Sequence, residues 1–206
     1  MIFVLTQGGP VNATIVTPGG TTLIAASEDP NIRLWDFPSG QLQSLFSGHT
    51  AAVKSLALSP DGRILASGGG DGDPTVRLWS IEQEVRLRTL SSHSRAVLSL
   101  AISPNGNILA SGSEDNTIIL WDFNTGEKLK TLMGMNSPVR DLTFSEDGKY
   151  LIAAGDTLQV WTIPEGKLAR TLAKGESYIT AVEMTLDGQT LVTASHDRTL
   201  KVWRLP

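Results

Sequence analysis

Five tryptophans constrain this chain more than any other feature. They stand at Trp35, Trp79, Trp121, Trp161 and Trp203, no others occur, and their separations are 44, 42, 40 and 42 residues. A second marker keeps the same period. Turn-forming segments recur at Thr17-Pro18-Gly19-Gly20, Ser59-Pro60-Asp61-Gly62, Ser103-Pro104-Asn105-Gly106, Ser145-Glu146-Asp147-Gly148 and Thr185-Leu186-Asp187-Gly188, and their last glycines are 42, 44, 42 and 40 apart. Two independent markers with one period require a set of alike units. Each unit is too small to bury its own apolar face and must stack on its neighbours. The chain has no cysteine, so no disulfide or thiolate metal site contributes and stability rests on that stacking.

One unit read closely is all strand. In the third, Ala96–Ile102 is apolar and rich in β-branched residues. Ser103-Pro104-Asn105-Gly106 then sets Ser, Pro and Gly where a type I turn takes them. Ile108–Ser113 makes a second run, Glu114-Asp115-Asn116 a polar turn and Thr117–Trp121 a third run. Lys128–Leu132, after the turn Asn124-Thr125-Gly126, is a fourth and more polar run. Four short runs divided by turns predict an antiparallel meander. The first two runs are nearly all apolar and are expected to bury both faces. The fourth has one face near water. No capped segment of helical period stands out.

The markers carry a family resemblance. Gly48-His49, Ser59-Pro60-Asp61-Gly62, Ala66-Ser67-Gly68 and Val76-Arg77-Leu78-Trp79, with Ser92-His93, Ser111-Gly112-Ser113-Glu114-Asp115 and Leu120-Trp121-Asp122 in the next unit, resemble WD40 repeats. The resemblance covers essentially the whole chain. It implies an all-β protein, a β-propeller of five four-stranded antiparallel blades forming one domain over residues 1–206. The family most often closes seven blades, and this chain supplies five. In such repeats the outer strand of one blade precedes the first strand of the next. The chain ends after a third strand, so its last blade lacks a fourth. Ile2–Thr6 occupies the register of a fourth strand, with Val4 matching Phe46, Leu90, Leu132 and Leu172. The expectation is that this N-terminal strand completes the last blade and covers an open edge. Two arrangements stay open: a ring closed on five blades, or an in-phase piece of a larger ring assembled with other chains or repeats.

His, Ser and Asp recur together with Trp in the second and third units and suggest a hydrolase triad. The second unit offers His49, Ser67, Asp71 or Asp73, and Trp79. The third offers His93, Ser111 or Ser113, Asp115 and Trp121. The resemblance implies that His49, Ser67, Asp73, Trp79 and His93, Ser111, Asp115, Trp121 are instead buried structural tetrads. Their donors and acceptors match: indole only donates, imidazole does both and a carboxylate accepts. A nucleophile needs exposure and an oxyanion hole. The expectation is therefore no catalytic residue and no enzyme. The set is uneven, since Gln7, Met135 and Gly175 stand at the His position of the other units and Ala153-Ala154 where Ser is expected.

No cofactor or metal is expected. His49 and His93 occupy equivalent places in different units, and His196 lies far away in sequence. Gly68–Gly72 lacks the Lys-Ser/Thr of a phosphate loop and reads as a flexible loop. Asp71 and Asp73 read as solvated turn residues, and the sequon Asn12-Ala13-Thr14 as fortuitous. The net charge of −4 argues against gripping nucleic acid or an acidic membrane along the chain. No run approaches the roughly 20 apolar residues of a membrane helix, and Met1–Thr6 is too short for a signal peptide. A cytoplasmic protein is expected.

The resemblance places recognition on the loops that join the units and on the turn between second and third strands. There the varied residues are Lys54, Arg95, Arg140 and Tyr178, with Glu28, Glu114, His196 and Arg198. Arg and Tyr are common binding anchors, and an acidic or phosphorylated segment matches Arg95 and Arg140. Asp141 reads as the local partner of Arg140. The expected function is a non-enzymatic scaffold that binds protein or peptide. The alternative is a sugar-binding or glycosidase-type propeller, which requires convergent carboxylates or aromatics at the channel mouth.

Overall fold

The computed structural model describes residues 4–174, 177–185 and 187–204. Among these residues the chain is all strand and turn. It forms nineteen strands in five antiparallel sheets and no helix. The strands β1 to β19 run from Val11–Val16 to Leu200–Arg204. Four sheets are four-stranded, over residues 11–46, 53–91, 97–133 and 141–174, and the last, over residues 179–204, is three-stranded, each a meander in sequence order. The chain divides into two compact units, Met1–Val97 and Leu98–Pro206.

The recurring turn explains the meander. In the second sheet the Gly62 N–H donates to Ser59 O at 2.8 Å and closes the turn between β5 (Val53–Leu58) and β6 (Ile64–Gly69). The Ser59 hydroxyl donates to Asp61 Oδ1 at 2.5 Å and accepts from Ile64 N at 2.9 Å. Gly62 sits at φ +72°, a left-handed conformation that a side chain resists. The matching glycines Gly20, Gly106, Gly148 and Gly188 have φ of +66° to +69°. One local instruction, written five times, turns the first strand into the second.

Stacking supplies the core. In the first unit Ile24, Ala26, Ile32, Leu34 and Phe46 meet Val53, Leu65 and Trp79 of the second sheet, with the Phe46 and Trp79 rings stacked at 5.3 Å. In the second unit Ile118, Leu120 and Leu132 meet Val139, Leu142, Leu151 and Trp161, and Ile152, Leu158 and Ala154 meet Ile179, Val182 and Leu191. Burying each such Leu or Ile is worth about 2 kcal/mol. Trp79 and Trp161 therefore pack the second sheet against the first and the fourth against the third. The small residue at Gly68 is part of the same economy of space: a Cβ there would lie 2.3 Å from Ser55 Oγ and 2.8 Å from Val97.

One expectation changes, and two others fall wholly or partly outside the described residues. Gly68 and Gly69 end β6 instead of opening a loose loop, and Gly70 N donates to Ala52 O at 2.7 Å. The N-terminal strand expected in the last sheet is not found among the described residues. Met1–Phe3 lie outside them, residues 4–7 carry no strand, and Val4 is 91% exposed. A short strand has nothing of its own to hold it extended unless a partner edge pairs with it. Gly175, read as the last unit's His position, also lies outside the described residues.

Candidate functional site

The second unit of the repeat brings four of the named residues into one chain of hydrogen bonds. The Trp79 indole N–H donates to Ser67 Oγ at 2.8 Å, and His49 Nε2 lies 2.8 Å from the same oxygen. His49 Nδ1 lies 2.7 Å from Asp73 Oδ2. Burial pushes the His49 pKa down against the pull of Asp73, so the ring is neutral. The network then assigns the protons: Ser67 donates to Nε2, and Nδ1–H donates to Asp73. Asp73 also accepts from Thr50 N at 2.9 Å, the Thr75 hydroxyl at 2.7 Å and Arg77 Nη2 at 3.2 Å. Burial pushes the Asp73 carboxyl up, but these donors outweigh it and hold its pKa below the usual value. Ser67 is fully buried, so its hydroxyl meets indole and imidazole and no substrate. Asp71 stands apart, accepting from Ala96 N at 3.3 Å.

The other units carry partial versions. In the third, Trp121 Nε1 donates to Ser111 Oγ at 2.9 Å, while Ser113 Oγ accepts from Asp115 N at 3.1 Å. Asp115 Oδ1 accepts from Thr117 N and its hydroxyl, and His93 is buried. In the fifth, Thr193 takes the serine's place and accepts from Trp203 Nε1 at 3.0 Å. In the first and fourth, Ala25 and Ala153 stand opposite that role, and the buried nitrogens of Trp35 and Trp161 have no partner. Gln7 Oε1 in the first is reached by Arg33 Nη1 at 3.4 Å. In the fourth, Met135 Sδ accepts from Thr157 Oγ1 at 3.7 Å and Asp156 from the Ser137 hydroxyl at 3.0 Å.

Sequence reasoning missed a basic residue two positions before the tryptophan. Arg33 reaches Asp29 at 2.7 Å, Arg77 reaches Asp73, and Lys201 reaches Asp197 at 3.4 Å. The signal was legible as an Asp followed four residues later by Arg or Lys in three of the five units.

The loop residues fall into separate groups. In the first unit of the chain Lys54 Nζ pairs with Glu28 Oε1 at 2.6 Å, and Arg95 lies 3.8 Å from Asp71. In the second unit the Arg140 guanidinium lies 5.2 Å over the Tyr178 ring, and the His196 ring meets Tyr178 edge-on at 6.4 Å. The backbone fixes this group: Arg140 N donates to Ala154 O at 2.8 Å and His196 N to Tyr178 O at 3.0 Å. Tyr178 remains 44% exposed. Arg198 turns the adjacent hairpin at φ +68°. Glu114 is half-buried on the turn after β10 (Ile108–Ser113).

Asp141 is not the partner of Arg140. Its Oδ2 accepts from Val182 N at 2.8 Å and its Oδ1 from Leu142 N at 2.9 Å, tying the fourth sheet to the fifth. Burial pushes its pKa up, partly offset by those two N–H groups. Residue order alone suggested the neighbour, but Asp141 opens the strand Asp141–Phe144 and its carboxylate is taken by the backbone N–H groups of Leu142 and Val182.

A cavity in the second unit, lined by Tyr150, Arg170, Leu172 and Met184, has Asp147 and Asp187 at its rim. Both carboxylates are tied into turns. The Ser145 hydroxyl and Lys149 N hold Asp147 down to about 2, and the Thr185 hydroxyl lowers Asp187. Both are therefore ionised near neutral pH. Among the described residues no group of three or more His, Asp or Glu gathers in metal-binding fashion, and no helix is long and apolar enough to cross a membrane.

Comparison with known proteins agrees with the geometry. The family model described as WD domain, G-beta repeat matches residues 2–36, 40–80, 84–122, 126–162 and 166–204. The small ribosomal subunit protein RACK1y of Oryza sativa subsp. japonica is 28% identical over 197 residues, covering 91% of this chain and 45% of its own length. The nuclear distribution protein PAC1 of Arthroderma otae is 30% identical over 227 residues, covering 94% and 49%. The nuclear distribution protein nudF of Aspergillus niger is 28% identical over 211 residues, covering 90% and 48%. The chain spans less than half the length of these curated relatives.

Proposed function

Because the chain belongs to the WD-repeat family, we propose that it is a non-enzymatic scaffold that binds a protein or peptide segment through its loop residues. Arg140, Tyr178 and His196 are the centre of that site, and the observation that carries the reading is their stack. A guanidinium lies on a half-exposed aromatic ring, and that ring is held by a second ring. Stacking leaves the guanidinium edge free to point N–H groups at a carboxylate or phosphate. Arg and Tyr are the residue types that dominate binding energy. The partner segment is therefore acidic or phosphorylated. Lys54 and Glu28 neutralise each other and contribute less, with Arg95, Glu114 and Arg198 as rim residues.

Relatives named for a ribosomal subunit and for nuclear distribution carry the same repeats in different settings. That fits a binding module better than one chemistry. A cytoplasmic location suits this reading. The test is fluorescence anisotropy with a labelled Glu-rich peptide and a Lys-rich control. The Glu-rich peptide binds the native chain, and the double variant Arg140→Ala, Tyr178→Ala weakens it by about 30-fold, the equivalent of about 2 kcal/mol. Equal binding of both peptides, or no effect of the variant, refutes the proposal.

A further inference from the structure

Aspartate or asparagine stands directly before glycine five times: Asp61-Gly62, Asp71-Gly72, Asn105-Gly106, Asp147-Gly148 and Asp187-Gly188. Such pairs rearrange their own backbone. The glycine N, unhindered by a side chain, attacks Cγ of the preceding residue and closes a succinimide ring. The Cγ–O bond of an aspartic acid, or the Cγ–N bond of an asparagine, breaks, and water or ammonia leaves. Water then opens the ring at either carbonyl. The product is aspartate or isoaspartate, in which the main chain runs through Cβ.

Four of the five pairs sit in the recurring turn, which blocks this chemistry at both reacting atoms. The attacking N–H of Gly62, Gly106, Gly148 and Gly188 already donates to the carbonyl oxygen three residues before it, at 2.8 Å each time. The group under attack is held as well. Asp61, Asn105, Asp147 and Asp187 each accept at Oδ1 from the Ser or Thr hydroxyl two residues before and from the N–H two residues after, at 2.5–3.1 Å. The hydroxyls, helped by the N–H groups, keep the three carboxyls below the usual pKa. An ionised carboxylate is a poor electrophile.

Asp71-Gly72 lies outside that turn, in the glycine-rich loop between Ile64–Gly69 and Thr75–Ser80. Both residues are exposed, and the Gly72 N–H has no hydrogen-bond partner among the described residues. The Asp71 side chain is 66% exposed and loosely held, by Ala96 N at 3.3 Å and Arg95 Nη2 at 3.8 Å. We propose that Asp71 is the site at which the folded chain converts to isoaspartate. The product lengthens the backbone of a loop whose ends are tied, Asp73 N donating to Gly70 O at 3.0 Å and Gly70 N to Ala52 O at 2.7 Å. It thereby displaces Asp73, which lies 2.7 Å from His49 Nδ1, and loosens the buried network.

Peptide mapping by mass spectrometry, after ageing in neutral buffer below the melting temperature, tests this. Isoaspartate is expected to build up at Asp71 about 30-fold faster than at Asp61, Asp147 or Asp187, the factor set by opening two hydrogen bonds. Asp71→Asn gives residues 71–72 the same chemistry as Asn105-Gly106. In that variant, position 71 is expected to deamidate faster than Asn105 by a similar factor in the folded chain, and at a like rate in urea, which opens the turns. Asp71→Glu, whose longer side chain closes no five-membered ring, is expected to stop the change. The aged native chain then melts at a lower temperature than before, and aged Asp71→Glu does not. No isoaspartate at Asp71, or equal amounts at all four aspartates, overturns the proposal. So does an Asp71→Asn chain in which Asn105 deamidates as fast as position 71 while folded.

Discussion

Replacing Ser67 with alanine removes one hydroxyl and strands two buried groups. Trp79 Nε1 loses its acceptor at 2.8 Å, and His49 Nε2 loses the hydroxyl 2.8 Å away. Both side chains are at most 5% exposed, so water does not readily replace the lost partner. Each stranded group costs about 1–3 kcal/mol. The space lost is one oxygen atom, and alanine already stands at the matching positions Ala25 and Ala153, so packing adds little. The expected loss is about 3 kcal/mol. For a chain of this length that lowers the melting temperature by roughly 6–12 °C. Urea unfolding followed by circular dichroism gives the free energy, and a thermal scan gives the temperature. A loss under about 0.5 kcal/mol would refute the hydrogen-bond account. It would mean that the network orders the side chains without holding the sheet.

The reverse change follows from the same reasoning. Ala153→Ser offers Trp161 Nε1 the acceptor it lacks and is expected to stabilise by about 1 kcal/mol; a loss in urea unfolding contradicts this. Gly62→Ala is expected to cost more than Gly188→Ala. Both have positive φ, but only at Gly62 does a Cβ meet an atom, Pro18 Cδ at 2.8 Å; equal losses of melting temperature sink the prediction. Stability also falls in acid. Burial holds the His49 pKa below 6.5, so the unfolded chain takes up a proton that the folded state refuses, and stability drops as pH falls below about 6.5. Asp147 and Asp197, held down to about 2 by the Ser145 and Thr199 hydroxyls, extend the loss from about pH 4 towards pH 2. Asp141, raised by burial, opposes part of it. Urea midpoints that are flat from pH 8 to pH 5, or unchanged in slope by His49→Gln, contradict the assignment.

Local features of the fold were readable because they repeat. The third unit's runs at Ile108–Ser113 and Thr117–Trp121 match β10 (Ile108–Ser113) and β11 (Thr117–Asp122), since turn chemistry and apolar runs act over a few residues. Asp73, six residues before Trp79 as Asp115 is before Trp121, was the carboxylate expected in the tetrad, and it is the one that lies 2.7 Å from His49 Nδ1. Asp141 was misread because its partner, Val182, is 41 residues away. Thr193 was overlooked although a threonine hydroxyl accepts from indole as serine does. The stack of Arg140, Tyr178 and His196 joins residues whose nearness depends on how two sheets pack, which no spacing within one repeat encodes.

Hydrogen exchange with the Glu-rich peptide bound tests the functional claim most directly. The account predicts slowed exchange at Val139–Arg140, around Tyr178 and across the turn at Ser195–Arg198, with little change at the exposed strands β8 (Val85–Ser91) and β12 (Lys128–Met133). Protection on those strands in place of the loops, or none anywhere at saturating peptide, would contradict it.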